Sequence, residues 1–408
     1  MVPGRLLPLL ALLGCTKTEQ RKVDPEPVPV PLPTPIVPRP TLSRKLLLEA
    51  HTPTLDKARY LAVELGKDPA TAPKLDDLGE RPALAISTWQ GHYRTVATQD
   101  GERWVSALAG NKLAISVVSS VSGGKPSYQL PIAVEPRGLH LVGDALFIGS
   151  PAAVGWIDLA AARPTYVELV KRDGYREKAY DLFVHDGDRL VAIDDEVMPM
   201  FADWFSLDPS GHPIKRLGDW KMPGVINGHY AHAALLPVGA NKWTLFVIAP
   251  YDILPGSGHD LAALPIEDDK LVFEPRLMLP DGDGKTPVVE EHQPRGDGKR
   301  TLLGGSTPTE WTGMAVAAGK VVVAAGERGL MSLPARFPAG TTSATFTEVA
   351  ASNVRDVREH AGKLLVLVEH TTAAVAKDPR SHLIIVDPGS MKVLAEHTLP
   401  GSFDRFVR

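Results

Sequence analysis

Short apolar runs that follow a turn-forming residue recur along most of this chain, and their spacing restricts the fold more than any other feature. They are "NKLAISVV" at Asn111, "DALFIGS" at Asp144, "DRLVAI" at Asp188, "NKWTLFVI" at Asn241, "GKVVVAAG" at Gly319 and "GKLLVLV" at Gly362. Asn, Asp and Gly tolerate the backbone angles of a tight hairpin turn. A strand-like run precedes each turn, such as "YDLFVHDG" or "HAALLPVG". A third and often a fourth follow, such as "DWFSLD", "LIIVD" and "KVLAEHTL". The turns lie 33, 44, 53, 78 and 43 residues apart. The 37 prolines argue the same way. An interior proline removes a helical hydrogen bond and clashes with the preceding turn, which excludes a fold of many long helices.

A four-stranded unit repeating every ~40–50 residues is the signature of a propeller blade. The predicted fold class is all-β: a β-propeller of four-stranded blades, six readable and seven possible, over residues 91–408. A seventh blade can come from residues 67–100 or from the insertion at 279–310. A β-sandwich or β-helix is the alternative for the same strands. The pattern resembles the bacterial YVTN and LVIVD-repeat β-propellers, most closely in "VRDVREHAGKLLVLV" and "HLIIVDPGSMKVLAEHTL" within residues 354–399. The likeness runs over about residues 100–400 as a strand rhythm. It implies a fold and no particular activity, because propellers host unrelated functions.

The first residues predict an address. Arg5 precedes an apolar run from Leu6 to Leu13, then Gly14 and Cys15, the single cysteine of the 408 residues. The run is too short to span a bilayer, which takes about 20 residues, and reads as the core of an export signal. "LLGC" resembles the bacterial lipobox. That resemblance implies cleavage after residue 14, a diacylglycerol on the Cys15 thiol, and a chain held to the lipid bilayer of the cell envelope. By resemblance to outer-membrane lipoproteins, the lack of an aspartate at Thr16 leans the expectation towards the outer membrane. With no second cysteine, Cys15 has no disulfide role.

Residues 15–41 read as a tether. "DPEPVPVPLPTPIVPRP", residues 24–40, favours an extended polyproline II rod roughly 50 Å long at ~3.1 Å per residue. A proline-rich recognition peptide is the alternative. Residues 42–90 form an N-terminal segment that the repeat does not place. Within it "KARYLAVEL" reads as helical.

In propellers of this type one face is built by the links after the second strands and by the connections between blades. The most polar of these are "IDDEVMPMFADW", with Asp194, Asp195, Glu196 and Asp203, and "VINGHYAHA", with Asn227, His229 and His232. Carboxylates suit Ca²⁺, and a histidine moves the preference towards Zn²⁺ or Mn²⁺. Asp195, Glu196 and His229 are therefore the metal candidates, and Asp194 joins them as a catalytic candidate. Solvated acidic turns and a hydrogen-bonded histidine explain the same residues without a ligand. Met198, Met200, Trp204 and Phe205 are expected to pack beneath the loop. "DGDGKTPVVEEH" from Asp281 fails the calcium-loop pattern, since His292 stands where a bidentate glutamate belongs. "RGD" at Arg295 matches an adhesion tripeptide common by chance. No Rossmann or phosphate-loop glycine pattern is present. The net charge of −4 argues against nucleic acid as a partner.

Two functions follow as expectations. One is an anchored binding or scaffold module for an envelope protein or glycan. The other is a metal-assisted hydrolase or lyase working at the loop-rich face.

Overall fold

The computed structural model describes residues 45–51, 57–82, 86–87, 93–94, 97–100, 103–108, 114–118, 128–131, 137–150, 153–172, 180–194, 201–221, 232–249, 260–271, 312–326, 329–334, 345–347, 352–370 and 380–407. All belong to one compact unit, Pro40–Arg408. The described residues contain strands and turns and no helix.

Blade 1 takes β1 (Lys45–His51), β2 (Lys57–Glu64) and β3 (Lys74–Pro82). A two-stranded sheet follows, β4 (Ile86–Ser87) with β5 (Tyr93–Arg94). Blade 2 is β6 (Ala97–Asp100), β7 (Arg103–Leu108), β8 (Ala114–Val118) and β9 (Tyr128–Pro131). Blade 3 is β10 (Gly138–Val142), β11 (Ala145–Ser150), β12 (Ala153–Asp158) and β13 (Tyr166–Lys171). Blade 4 is β14 (Tyr180–Asp186), β15 (Arg189–Asp194), β16 (Phe201–Leu207) and β17 (Pro213–Lys221). Blade 5 is β18 (His232–Gly239), β19 (Lys242–Ala249), β20 (Asp260–Glu267) and β21 (Lys270–Leu271). Blade 6 is β22 (Gly313–Ala317), β23 (Lys320–Ala324), β24 (Leu330–Pro334) and β25 (Thr345–Thr347). Blade 7 is β26 (Ser352–His360), β27 (Lys363–His370), β28 (Ser381–Val386) and β29 (Val393–Thr398), and β30 (Arg405–Phe406) returns to complete blade 1.

The described residues thus form seven four-stranded antiparallel sheets, six in simple sequence order and one ordered β3-β2-β1-β30. The first strands of consecutive blades pack on one another from β6 through β10, β14, β18, β22 and β26 to β30. This is a β-propeller.

The apolar runs of the sequence are mainly the second strands, which lie between two neighbouring blades. In β15 the residues Leu190 to Ile193 are all buried. Side chains alternate across a strand. Leu190 and Ala192 therefore join the core shared with blade 3, while Val191 and Ile193 join the one shared with blade 5. β27 divides likewise, with Leu364, Val366 and Val368 towards blade 6 and Leu365 and Leu367 towards blade 1. Outer strands such as β29 are largely exposed.

The hairpin turns agree with the residues that mark them. Ala318 and Gly319 have φ of 50° and 71°, and Ala361 and Gly362 have 50° and 75°. Two consecutive positive φ angles define the turn whose twist matches a hairpin.

Three expectations need correction. "KARYLAVEL" supplies strand β2 rather than a helix, because Tyr60 to Val63 are buried between two strands and a neighbouring blade, and tertiary burial overrides local propensity. The turn at Asn111 joins second to third strand of its blade rather than first to second. That blade's first hairpin pairs Asp100 with Arg103, which explains the short 33-residue spacing to Asp144. The seventh sheet comes from residues 45–82 with 405–406, while the insertion contributes none of the described strands and lies between β21 and β22.

Blade 1 is closed by side chains as much as by its two-residue strand. Leu48 pairs with Phe406 and Glu49 with Arg405. The buried Glu49 carboxylate accepts from Arg405 Nε at 3.1 Å and from Tyr60 OH at 3.3 Å. Asp356, also buried, accepts from Val357 N and Phe406 N, both at 2.8 Å. Arg358 donates to the carbonyl of Val407. Leu399, Phe403, Phe406 and Val407 are all buried. A buried polar group costs stability unless it is hydrogen-bonded, and this closure bonds both carboxylates.

Candidate functional site

Strand direction divides the links into two sets. Those joining first to second strands and third to fourth strands leave one face, here the turn face. Those joining second to third strands and successive blades leave the other, the link face. Most turn-face connections are short, as at 143–144, 187–188, 268–269, 318–319 and 361–362, while some, such as 65–73 and 335–344, are longer. Link-face connections include residues 195–200, 222–231, 250–259 and 371–380.

Both polar segments singled out in the sequence leave at the link face of blade 4. Asp194 is the last residue of β15, and its backbone pairs with Tyr180. Asp195, Glu196, Met198, Met200, Asn227 and His229 lie outside the described residues. His232 begins β18, half-buried opposite Ile248. Among the described residues no three His, Cys, Asp or Glu side chains form a metal-holding group.

Asp203 is not a loop residue. It sits within β16, fully buried, between Ala202 and Trp204. Trp204 and Phe205 are core residues, Trp204 towards blade 5 and Phe205 towards blade 3.

Around Asp203 lies a charged network. Arg172, just beyond β13, donates through Nη2 to both carboxylate oxygens at 3.2 and 3.1 Å, and through Nε to Tyr180 OH at 2.6 Å. The Tyr180 hydroxyl donates in turn to Asp203 Oδ2 at 2.5 Å. Arg216, on β17, donates from Nε to Oδ1 at 2.8 Å and from Nη2 at 2.5 Å. Asp219 takes the remaining reach of both guanidinium groups, at 3.1 Å from Arg172 and 3.4 Å from Arg216. Burial and the Asp203 carboxylate raise the Tyr180 pKa strongly, so its hydroxyl stays protonated as a donor. Burial opposes the charge on Arg172, but its bonds to Tyr180 and Asp203 more than offset this and its pKa is raised. Both oxygens of Asp203 are occupied by donors. The group therefore stitches blade 3 to blade 4 and leaves no lone pair poised to take a substrate proton.

A second polar contact joins the same blades at their first strands. His140 Nε2 and His185 Nδ1 are 2.7 Å apart, and His140 stacks on Phe183 at 6.0 Å. Burial, then the neighbouring His185, hold the His140 pKa well below its ordinary value. On the turn face, Asp269 of blade 5 accepts from Arg189 Nε at 3.1 Å and from Trp204 Nε1 at 2.9 Å. Trp243 Nε1 donates to Asp186 at 3.1 Å, and Arg189 lies over the Trp243 ring at 5.3 Å. These are inter-blade clasps.

The Asp203 network escaped sequence reading because its members are spread from 172 to 219. One signal was present: "FADWF" sets an acid inside a strand of buried aromatics, where a carboxylate needs fixed partners.

No protein-family model matches the chain, and no curated protein matches its sequence. Solved structures do resemble it. A protein from Lactobacillus plantarum aligns over 90% of this chain and 99% of its own, with TM-score 0.51 and 13% identity. The Cps50 (Swd1) β-propeller domain of Myceliophteria thermophila aligns over 81% and 94%, with TM-score 0.41 and 12% identity. The WD40 β-propeller domain of Doa1 aligns over 80% and 92%, with TM-score 0.39 and 12% identity. At such identities the likeness is one of fold alone.

Proposed function

We propose that this chain is an envelope lipoprotein of the YVTN/LVIVD-like kind whose propeller is a binding or scaffold module, engaging a protein or glycan through its link face. The observation that supports this most is the asymmetry of the connections. Most turn-face connections are short turns, 65–73 and 335–344 being among the longer ones, and inter-blade clasps tie that face together, whereas the link face carries 195–200, 222–231, 250–259, 371–380 and the 41-residue connection 272–312. Long links on a rigid scaffold are where recognition is usually built. Crosslinking in intact envelopes, followed by purification of the full-length protein, tests the reading. A specific partner is expected, and replacing residues 222–231 by a Gly-Ser linker of equal length should abolish its recovery. Undiminished recovery with that replacement would place recognition elsewhere and overturn the reading.

A metal-assisted hydrolase or lyase is the second reading. Asp194 favours it, because β15 ends at the link face and leads directly into Asp195 and Glu196. Elemental analysis of the purified protein decides. Near-stoichiometric Ca²⁺, Zn²⁺ or Mn²⁺ lost in Asp195→Ala supports it, and a metal-free protein removes it.

The anchor has its own test. Wild-type protein should incorporate a fatty-acid analogue and partition into detergent, and Cys15→Ala should do neither. Wild-type protein that takes up no label and washes off membranes in salt would make the lipobox accidental.

A further inference from the structure

We propose that His140 and His185 bind one divalent transition-metal ion, Cu²⁺ before any other, between the innermost strands of blades 3 and 4. The site is separate from Asp194, Asp195, Glu196 and His229, whose segments leave at the opposite face. Its geometry starts with strand alternation. On β14 Phe183 joins the core shared with blade 3, so His185, two residues on, points to blade 3 as well. On β10 Val142 packs against that same core, so His140, two residues earlier, points to blade 4. The two rings meet near the turn-face ends of their strands. His140 Nε2 and His185 Nδ1 are 2.7 Å apart, and the ring centres are 4.8 Å apart with 63° between the planes. Phe183 stacks on the His140 ring with 11° between planes, which fixes that ring's orientation. His185 is exposed and His140 partly buried, so water reaches the pair.

The charged clasps around these blades set a carboxylate against a donor: Asp203 against Arg172, Asp186 against Trp243, Asp269 against Arg189. Here two imidazoles face each other instead, and both are metal ligands by nature. Burial, then His185, hold the His140 pKa well below its ordinary value, so no proton contests its lone pair at pH 7. With metal–nitrogen bonds of about 2.0 Å directed along each ring, an ion sits about 3.2 Å from either ring centre. The 4.8 Å separation then sets an N–metal–N angle of roughly 100°, and the nitrogens part from 2.7 Å to about 3.1 Å. A small rotation of the rings supplies this, with no movement of the strands. The hydrogen bond between the rings carries one N–H. As the ion enters, the donor ring takes its other tautomer through solvent, so no net proton is released. Among the described residues no third His, Cys, Asp or Glu completes the group, so the remaining positions fall to water. Imidazoles with water suit Cu²⁺, which also heads the affinity order of the divalent first-row ions, and they give Ca²⁺ no carboxylate oxygens to hold it.

Full-length protein purified without a histidine tag and stripped of metal by a chelator is titrated with CuCl₂ and read by electron paramagnetic resonance. One tight equivalent with nitrogen couplings from two imidazoles is expected. His140→Gln and His185→Gln should each weaken it at least about tenfold, since even the outer partners of metal ligands carry that much. Urea midpoints of the metal-free variants check that they fold. Asp195→Ala and His229→Gln should leave the tight equivalent unchanged, and its loss in either would place the ion at the link face and overturn this site. Equal affinity in the two variants at 140 and 185, or no tight equivalent in wild type, also overturns it and leaves the contact a clasp alone. A further measurement needs no variant. Ascorbate in air, added to wild type carrying one equivalent of Cu²⁺, oxidises the ligating imidazoles, and peptide mass spectrometry locates the added oxygen. It should fall on His140 or His185. Oxidation confined to others of the 13 histidines overturns the assignment even where a variant fails to fold.

Discussion

Replacing Asp203 by alanine should be among the most damaging single changes in the protein. Its carboxylate is fully buried and collects hydrogen bonds from Tyr180, Arg172 and Arg216. Tyr180 is itself fully buried, and the Arg172 side chain is only 14% exposed, so neither regains water when the acceptor goes. Removing one member of a buried ion pair typically costs 3–5 kcal/mol, so a loss of about 4 kcal/mol is expected. Arg216 behaves differently. Its side chain is 39% exposed, and Arg172 and Tyr180 still hold Asp203 once it is gone, so Arg216→Ala should cost less, about 1–2 kcal/mol. Asp203→Asn, which keeps shape but loses charge, should fall between them. Urea denaturation followed by intrinsic tryptophan fluorescence, with buried Trp204 among seven reporters, measures all three. An Asp203→Ala variant within about 1 kcal/mol of the parent would refute the reasoning, as would an Arg216→Ala variant equally damaging.

Acid should weaken the fold through buried histidines. Burial, then the nearby Arg358, push the His360 pKa from its ordinary 6.5 down to about 4. The unfolded chain therefore takes up protons that the native state refuses, and stability falls as pH drops from 6.5 towards 4. His360→Gln should flatten that slope in denaturation midpoints taken across the range, and an unchanged slope would discount His360. His140 acts in the same direction. Gly313→Ala should destabilise the closure, because a Cβ there would lie 1.8 Å from Asp356 Oδ1. A cost of about 1–3 kcal/mol, typical of overpacking, is expected in the same urea assay, and a neutral result would show that Asp356 can move aside.

The strands that carried the repeat in the sequence are those buried on both sides. "RLVAI" and "KLLVLV" read as uninterrupted apolar runs because alternate residues serve two different neighbours. Their two-residue turns need positive φ, which restricts composition enough to be seen. Blade 1 was illegible for a physical reason. "KARYLAVEL" has helix-forming residues, and β30, which pairs with β1, is 356 positions away across the Glu49–Arg405 pair, beyond any local pattern. The candidate site was legible only as two polar segments. Their position at one face follows from strand order, which the repeat supplied. The Asp203 network was hidden because it joins residues from separate strands through side-chain direction, which period alone does not encode.

Closing blade 1 across 356 positions also orders events in time. Bringing two points that far apart together costs roughly 5 kcal/mol of chain entropy by the (3/2)RT ln n scaling. Blades 2 to 7 are local hairpins and meet no such barrier. Blade 1 cannot be completed until Arg405 and Phe406 have emerged, however early its other three strands are made. Until then the apolar faces of β1 and β27 lack each other's cover, and Leu46, Leu48, Leu365 and Leu367 stay open to intermolecular contact. The interval between synthesis of β1 and capture of β30 is when this chain is most exposed to aggregation.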